Sequence, residues 1–232
     1  MTASGSRPEE IAQEIRKDIF RGRYRPGERL PSERELAERA GANRGSAREA
    51  LKILAQQRLI EVRPGGSRVI PVHRASLEVL GHVLQMSGAP DPDLLAQLLD
   101  VHELLWAGAV RLAVERASDE ELGRARELLA TLSRERISEE EYLRTIAALL
   151  EIIAEASHNL VLRMVGNSLF TILGAVVPLL QRLRPSHATL LPAVRKVRRA
   201  LARRDPVAAE QGIRALLRLK REYVLKKLGT PR

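Results

Sequence analysis

Residues 32–54 read SERELAERAGANRGSAREALKIL and contain the signals for two short helices joined by a tight turn. Ser32 and Glu35 form a capping-box pattern at the start of the first helix, in which the serine hydroxyl accepts from a backbone amide while the glutamate reaches back. Gly41 suits the left-handed residue that ends such a helix, and Asn43 can cap the next one. Two short helices around a glycine-containing turn predict a helix-turn-helix.

The flanking segments extend this element on both sides. Upstream, Pro8 is suited to the first turn of a helix. Three isoleucines follow at i+4 spacing and form one apolar stripe: Ile11, Ile15 and Ile19. Downstream, residues 59–63 and 67–70 alternate apolar and polar side chains on either side of Gly65-Gly66, which is typical of a β-hairpin. A hairpin directly after a helix-turn-helix is a wing.

Three arginines share the surface of the predicted helix-turn-helix. Arg44 and Arg48 are four residues apart, so they lie on one face of the second helix near its N-terminus. Arg34 lies in the first turn of the preceding helix. Recognition helices present their N-terminal residues to base edges, and bidentate arginine–guanine pairs are the commonest specific contact. A single exposed arginine is usually a plain surface charge, but three that converge here favour DNA binding.

Composition limits the class of protein further. The 232 residues suggest about two domains. Aromatic residues make up 3% and hydrophobic residues 44%, so the cores must be aliphatic, as in helical bundles. Cysteine is absent, which excludes disulfides and thiolate metal sites. The sequence contains no run of about 18 apolar residues and no apolar signal core at its start, so we expect a soluble, cytoplasmic protein without membrane contact.

The net charge of +10 is unevenly distributed. Lys and Arg outnumber Asp and Glu by 15 to 10 in residues 1–72 and by 15 to 3 in residues 182–232, whereas acidic residues dominate between them. A basic N-terminal segment suits phosphate binding. The basic C-terminal segment is ambiguous: it could face an acidic ligand, the acidic middle of the same fold, or solvent.

The remainder of the chain has helical signals alone. Helix starts are predicted at Asp91-Pro92, Ser118–Glu121, Ser138–Glu141, Asn159 and Asp205-Pro206. Ser118–Glu121 and Ser138–Glu141 have capping-box patterns, and Pro178 is expected to kink the end of the helix that Asn159 begins. Six or seven helices in this order predict an antiparallel bundle.

The fold class is therefore mainly α, with a winged helix-turn-helix and its small β-hairpin wing at the N-terminus and an antiparallel helical bundle at the C-terminus. We assign residues 1–72 to the DNA-binding domain, residues 73–90 to a linker or connecting helix, and residues 91–232 to an all-helical effector-binding and dimerisation domain.

The N-terminal residues also resemble a known family. The segment from Arg25 to Ala37, RPGERLPSERELA, resembles the signature of the GntR family of bacterial repressors. Residues 43–51, NRGSAREAL, resemble its recognition helix. The resemblance implies that Arg34, Arg44 and Arg48 contact DNA, that Ser46 in the same helical turn is a further DNA contact, and that the wing tip Gly65-Gly66 enters the minor groove. Three positions depart from the pattern without removing an arginine: Asn43, Gly45 and Ala47.

The helical part is similar to the effector domain of the FadR-type branch of that family, with residues 153–159, IAEASHN, in place of its Ala-x-Ala-Ser-Gly-Asn segment. Many members of this branch bind a divalent metal with an Asp and three His. The corresponding histidine positions are aliphatic here and fall at Leu149-Leu150, near Val194 and near Leu216. Because metal binding needs several N or O donors, we expect no metal.

An aliphatic bundle centre favours an apolar ligand or a packed core. The metal-free fatty-acid regulator of this branch responds to long-chain acyl-CoA, so the resemblance implies that an acyl-CoA effector could enter here, with its phosphates near the basic C-terminal segment. The candidate effector-binding residues are His102, Trp106, Asn167, Thr171 and Tyr223. Each of them could equally be a packing or bridging residue of the core.

These expectations define a DNA-binding transcriptional regulator, a repressor in our interpretation, whose homodimer binds an inverted repeat in double-stranded DNA under the control of a small-molecule effector. A metal-free sensor of another small organic acid and a nonspecific architectural DNA-binding protein remain alternatives. An enzyme is disfavoured, because the sequence lacks a glycine-rich phosphate loop and any His–carboxylate–hydroxyl arrangement.

Overall fold

The computed structural model describes residues 6–85, 91–174 and 176–229. Within these residues the chain forms eleven α-helices, two β-strands and one 3₁₀ turn. The N-terminal elements are α1 (Arg7–Phe20), α2 (Glu33–Arg39), α3 (Arg44–Gln56), β1 (Ile60–Arg63), β2 (Gly66–Val69), the 3₁₀ turn (Val72–Arg74) and α4 (Val79–Gln85). The C-terminal elements are α5 (Pro92–Arg116), α6 (Asp119–Thr131), α7 (Glu139–Ala156), α8 (Leu160–Gly174), α9 (Val177–Leu183), α10 (His187–Ala202) and α11 (Pro206–Leu228).

The chain divides into two compact units, residues 1–89 and 90–232. The first unit is the mainly α winged helix-turn-helix that the sequence predicts, and the second is all-helical in its described residues. Residues 73–90 were expected to be a linker or connecting helix, but the 3₁₀ turn and α4 belong to the first unit, and Val79 packs into its core. Residues 86–90 lie outside the described residues.

The caps of α2 and α3 confirm the local signals in the sequence. The Ser32 Oγ accepts from the Glu35 amide at 3.3 Å, and the Glu35 carboxylate accepts from the Ser32 amide at 2.7 Å. Asn43 Oδ1 accepts from the Ser46 amide at 2.8 Å, so α3 begins at Arg44. Capping of this kind stabilises a helix by about 1 kcal/mol. The caps therefore determine which residues occupy the first turn of α3.

The hairpin forms where the sequence predicts it. Strands β1 and β2 are antiparallel, with Ile60 opposite Val69 and Arg63 opposite Gly66. The segment before α2 joins the hairpin through a bridge between Arg29 and Arg68. The wing is therefore attached to the segment that leads into the helix-turn-helix.

Arg16 is a buried residue that the sequence analysis did not single out. It is 0% exposed, its Nη2 lies 3.1 Å from Glu9 Oε1, and its Nε donates to Gln57 Oε1 at 3.1 Å. Because Glu9 belongs to α1 and Gln57 follows α3, this side chain links the first helix to the end of the recognition helix.

The second unit is built around α5 and α11, which pack along each other, with α10 against α11 and α6 against α7. A Cβ atom on Gly212 would lie 3.0 Å from Val197 Cγ2, so the glycine allows α10 and α11 to approach closely. Glu103 of α5 has a buried side chain and lies 3.3 Å from Arg214 and 2.9 Å from Arg218, both on α11. A buried carboxylate needs such partners, so these ion pairs hold α11 in register with α5.

Two expectations for this unit need correction. Ser138 caps α7 alone, because the Glu141 amide donates to it at 3.1 Å without the reciprocal contact of a capping box. Pro178 does not kink the end of α8 but lies in the first turn of a separate helix, α9. Proline lacks an amide hydrogen and is therefore tolerated at a helix start, where that hydrogen has no partner. Eight α-helices thus follow the wing in the described residues, where six or seven were expected.

Among the helices that the structure describes, none combines the length and the apolar character needed to cross a bilayer.

Candidate DNA interface and ligand cavity

The three candidate DNA-contacting arginines lie at the exposed starts of α2 and α3. The side chains of Arg34 and Arg48 are 65% and 68% exposed, and Arg44 is exposed as the first residue of α3. Arg48 Nε lies 3.9 Å from Glu33 Oε1 at the start of α2, so the two helix starts are neighbours. Exposed guanidinium groups on a helix N-terminus are free to reach a groove, and the positive end of the helix dipole adds to their attraction for phosphate.

The other predicted DNA contacts lie on the same unit. Ser46 is half-buried in the first turn of α3, where its amide is bound by Asn43. The two-residue turn of the wing is Pro64-Gly65, and Gly66 follows it as the first residue of β2. Gly65 and Gly66 have φ angles of +97° and +123°, which side chains rarely adopt, so the tip and the start of β2 both depend on glycine.

A basic groove beside the wing was missed by the sequence analysis. It has a volume of about 990 Å³; its charged lining residues are Arg58, Glu61, Arg63, Arg68 and Arg74, and His73 also lines it. Glu61 is bound to Arg63 at 2.7 Å, and the Arg68 guanidinium donates to the Gly27 carbonyl at 2.9 Å. The signal in the sequence was an arginine at nearly every fifth position from 58 to 74. These residues add positive charge to the unit that carries the recognition helix.

The second unit contains an apolar cavity of about 260 Å³. All seven helices α5 to α11 contribute to its lining. The lining includes the aliphatic residues Leu149, Leu150, Val194 and Leu216 at or near the positions where a metal-binding relative would carry histidines. Hydrocarbon side chains cannot coordinate a metal, so these residues do not fit one. In the described part of the chain, no three His, Asp or Glu side chains converge as a metal site would require.

Two of the five predicted effector-binding residues line this cavity and three do not. His102 and Trp106 line it from α5, with ring centroids 6.2 Å apart. Burial, together with the nearby charge of Lys220, lowers the pKa of His102 to about 4, so its ring is neutral at physiological pH.

The remaining three residues lie elsewhere. Asn167 and Thr171 are exposed on α8, where Phe170 and Leu173 line the cavity instead. Tyr223 is half-buried next to the lining residue Val224 and lies 5.8 Å from Lys227 Nζ. From the sequence, these two helices could be placed but their rotation about their axes could not.

The charged lining residues of the cavity were also missed. They are Arg184, which follows α9, and Lys220 and Arg221 on α11, and all three are basic. Arg184 Cζ lies 4.6 Å from the centroid of the Tyr142 ring, and Lys220 Nζ lies 5.7 Å from it. Arg221 is bound to Asp100 at 2.7 Å. The only signal in the sequence was the basic character of residues 182–232, whose role had been left open.

The comparisons with known proteins agree with this architecture. Residues 8–70 match the model of the bacterial regulatory proteins of the gntR family, and residues 97–219 match the FCD domain. The HTH-type transcriptional regulator Mce2R of Mycobacterium tuberculosis is 30% identical over 217 residues, which cover 91% of this chain and 89% of that protein. The galactonate operon transcriptional repressor of Escherichia coli is 28% identical over 175 residues, or 74% of this chain and 76% of that protein.

A solved structure shares the fold. The chain matches Lar, which controls the expression of the Listeria monocytogenes agr system, with a TM-score of 0.61 over 96% of this chain and 98% of that one. At 15% identity this likeness supports the fold alone. The two family matches and the 30% identity to Mce2R over nearly the whole chain extend beyond the fold to the sequence itself. The chain belongs to the gntR family of bacterial regulatory proteins, carries an FCD domain behind its DNA-binding unit, and is a transcriptional regulator, not an enzyme.

Proposed function

We propose that this DNA-binding regulator is a cytoplasmic repressor that binds an inverted repeat as a homodimer and that an apolar effector in the second unit changes its affinity for the operator. The observation that carries the effector part is the cavity of about 260 Å³. The repressor role is taken from the galactonate relative, which is named a repressor.

Sequence-specific binding is supported by the arginines at the helix starts. Arg44 and Arg48 lie on the first two turns of α3, the part of a recognition helix that contacts base edges. Their exposure leaves both guanidinium groups available for bidentate pairing with guanine. A nonspecific architectural protein would not need this geometry, because it depends on phosphate contacts and DNA deformability.

A dimer is supported by the exposed apolar residues of α8. They are Leu160, Val161, Met164, Val165 and Phe170, and the first three are each more than 60% exposed. A contiguous apolar face on one helix is costly in water and marks an interaction surface. A second copy is the occupant that a two-fold symmetric operator requires, because isologous contacts place two identical recognition helices on the two half-sites.

The cavity favours an effector with an acyl chain. Its volume lies just below the range of about 300–1,000 Å³ that is typical of small-molecule pockets, so it suits a hydrocarbon chain better than a whole coenzyme. In the proposed complex with long-chain acyl-CoA, the acyl chain lies among Leu149, Leu150 and Leu216, and the coenzyme phosphates lie towards the basic residues of the C-terminal segment 182–232. A small hydrophilic acid is the alternative, but it would leave the aliphatic walls without a partner.

The effector acts by shifting a population. A ligand changes operator affinity only as far as it binds one conformation of the dimer better than the other. For effector binding to release DNA, the conformation that the ligand prefers must hold the two recognition helices at a spacing that does not match the two operator half-sites.

The experiment combines native mass spectrometry with operator binding. The purified protein is measured alone and with a chain-length series of acyl-CoAs, and each acyl-CoA is then added to the protein bound to a selected operator. We expect a dimer that gains one acyl-CoA per subunit and then releases the DNA. If no acyl-CoA binds, or if bound acyl-CoA leaves operator affinity unchanged, the effector proposal fails.

The remaining alternatives are tested with the same components. A large excess of random competitor DNA abolishes binding by an architectural protein in proportion to total DNA, whereas a sequence-specific regulator retains its operator. A reporter gene placed behind the operator determines the sign of regulation, and higher expression in the presence of the protein would contradict repression.

A further inference from the structure

The charged groups that line the cavity are unusual for an apolar pocket. Among the described residues, every charged lining residue is a cation, namely Arg184, Lys220 and Arg221. The remaining described lining is aliphatic or aromatic apart from His102 and Gln181. A site intended only for a neutral hydrocarbon has no use for cations in its wall, since desolvating a charge opposes folding. A chemical partner for these charges is therefore expected.

Arg184 is a cation whose hydrogen bonds are incomplete and whose ion pair is long. Its Nη2 lies 3.7 Å from the half-exposed Glu139, but its Nη1 is buried and has no hydrogen-bond partner within the described part of the chain. The guanidinium plane is held over the Tyr142 ring at 4.6 Å, so it is oriented even without a ligand. Arg221 also has a buried Nε that makes no hydrogen bond in the described residues, but its charge is paired with Asp100, which accepts from Nη2 at 3.2 Å.

A guanidinium donor of this kind has a specific chemical complement. Arginine presents a planar fork that matches the two oxygens of a carboxylate or of a phosphate. The lining that accompanies Arg184 is mostly apolar and includes Leu143, Ile146 and Leu150 of α7 and Leu217 of α11. The arrangement thus pairs an anion-binding end with a hydrocarbon-binding interior.

We propose that the effector is an amphiphile with an anionic end group and that Arg184 is the residue that binds this group, while the hydrocarbon chain fills the aliphatic part of the cavity. Lys220 lies over the same Tyr142 ring and adds positive charge at this end. The inference rests on the proposed effector role of the cavity, and it makes Arg184 a specificity-determining residue. The anion can be the carboxylate of a free fatty acid or a phosphate of its CoA ester.

The single tryptophan of the chain provides the readout. Trp106 lines the cavity and is the only tryptophan in the sequence, so its fluorescence reports on cavity ligands directly. The probes are dodecanoate, dodecanol and dodecanoyl-CoA, which share a chain and differ in the end group. We expect the intact dimer to bind at least one of the two anionic probes ten or more times as tightly as dodecanol. Whichever anion shows the preference identifies the source of the end group.

Two variants and a control make the assignment specific. Arg184→Met should bring the affinity of the preferred anion down to that of dodecanol while leaving dodecanol binding unchanged. Arg184→Lys should retain part of the preference, because it keeps the charge but not the fork. Arg182→Met removes a neighbouring exposed arginine of α9 and should change nothing. Circular dichroism melting of each variant checks that the fold is kept.

The possible outcomes distinguish the proposed role of Arg184 from the proposed effector role of the cavity. If Arg184→Met retains the full preference for the anion, or if wild type binds dodecanol as tightly as both anions, the proposed role of Arg184 is refuted. The proposal of an apolar effector in the cavity still stands in that case. If none of the three probes binds wild type, the proposed role of Arg184 and the proposed acyl effector are both refuted.

Discussion

Replacement of Arg48 by alanine should weaken operator binding strongly while leaving the fold intact. The Arg48 side chain is 68% exposed, and its one ion pair, with Glu33, spans 3.9 Å. Exposed pairs of this kind contribute about 0–1 kcal/mol to stability, so the free energy of unfolding should change by less than that. A loss of DNA binding in this variant would therefore not come from unfolding.

The expected loss follows from the contact that Arg48 is proposed to make. A bidentate arginine–guanine pair discriminates against a wrong base by about 1–3 kcal/mol, and every 1.4 kcal/mol is a factor of ten in affinity. The operator affinity of Arg48→Ala should thus fall about 5- to 150-fold. Affinity for a random duplex should fall much less, because it depends on the total charge and not on base contacts.

Fluorescence anisotropy at several salt concentrations measures both effects, with an operator obtained by selection from random duplexes. Lys52→Ala is the matched control, since it removes one exposed positive charge from the same helix away from its N-terminus. The control should weaken both duplexes slightly and equally. Equal losses on operator and random DNA for Arg48→Ala would refute the claim that Arg48 contacts bases.

Three further predictions concern the wing, the cavity and the dimer. Gly66→Ala should destabilise the first unit by about 1–3 kcal/mol, because φ at this residue is +123°. The control Gly108→Ala, on a helix with open space around the glycine, should not destabilise the protein. Thermal unfolding of the two variants measures the difference. The pKa of His102 is lowered from 6.5 to about 4, so only the unfolded chain takes up a proton between these values and stability should fall as pH drops through this window. The fall is at most about 3 kcal/mol, and urea unfolding of His102→Gln should lack that part of the pH dependence. Met164→Glu places a charge on the apolar face of α8, where the side chain is 62% exposed. It should convert the proposed dimer to a folded monomer in analytical ultracentrifugation, and a dimer that persists in this variant would exclude this face as the interface.

Much of the N-terminal unit could be predicted from the sequence because its signals are local. The capping box at Ser32 and the asparagine cap at Asn43 are contacts between residues three apart, and they appear in the structure as predicted. The hairpin forms around the predicted glycines, but its two-residue turn is Pro64-Gly65, and Gly66 is already paired with Arg63. The first turn of α3, and with it Arg44 and Arg48, is determined by the same short-range contacts.

The cavity could be predicted only in outline. The aliphatic replacements at Leu149, Leu150 and Val194 were visible in the sequence and do line it. Three of the five proposed effector residues lie elsewhere, because helical periodicity places a residue on a helix but does not give the rotation of that helix against six others. The separate helix α9 was missed as well, since Pro178 is compatible with either a kink or a helix start.

The sequence by itself therefore determined the helix-turn-helix, its wing and the arginines on its surface, since each depends on contacts between residues a few positions apart. The tertiary structure alone decided that Arg16 is buried between Glu9 and Gln57 and that Arg184 meets Tyr142 at the wall of an apolar cavity. Arg16 and Gln57, like Arg184 and Tyr142, are about 40 positions apart in the chain, so the packing of whole helices, and not any local propensity, brings these side chains together.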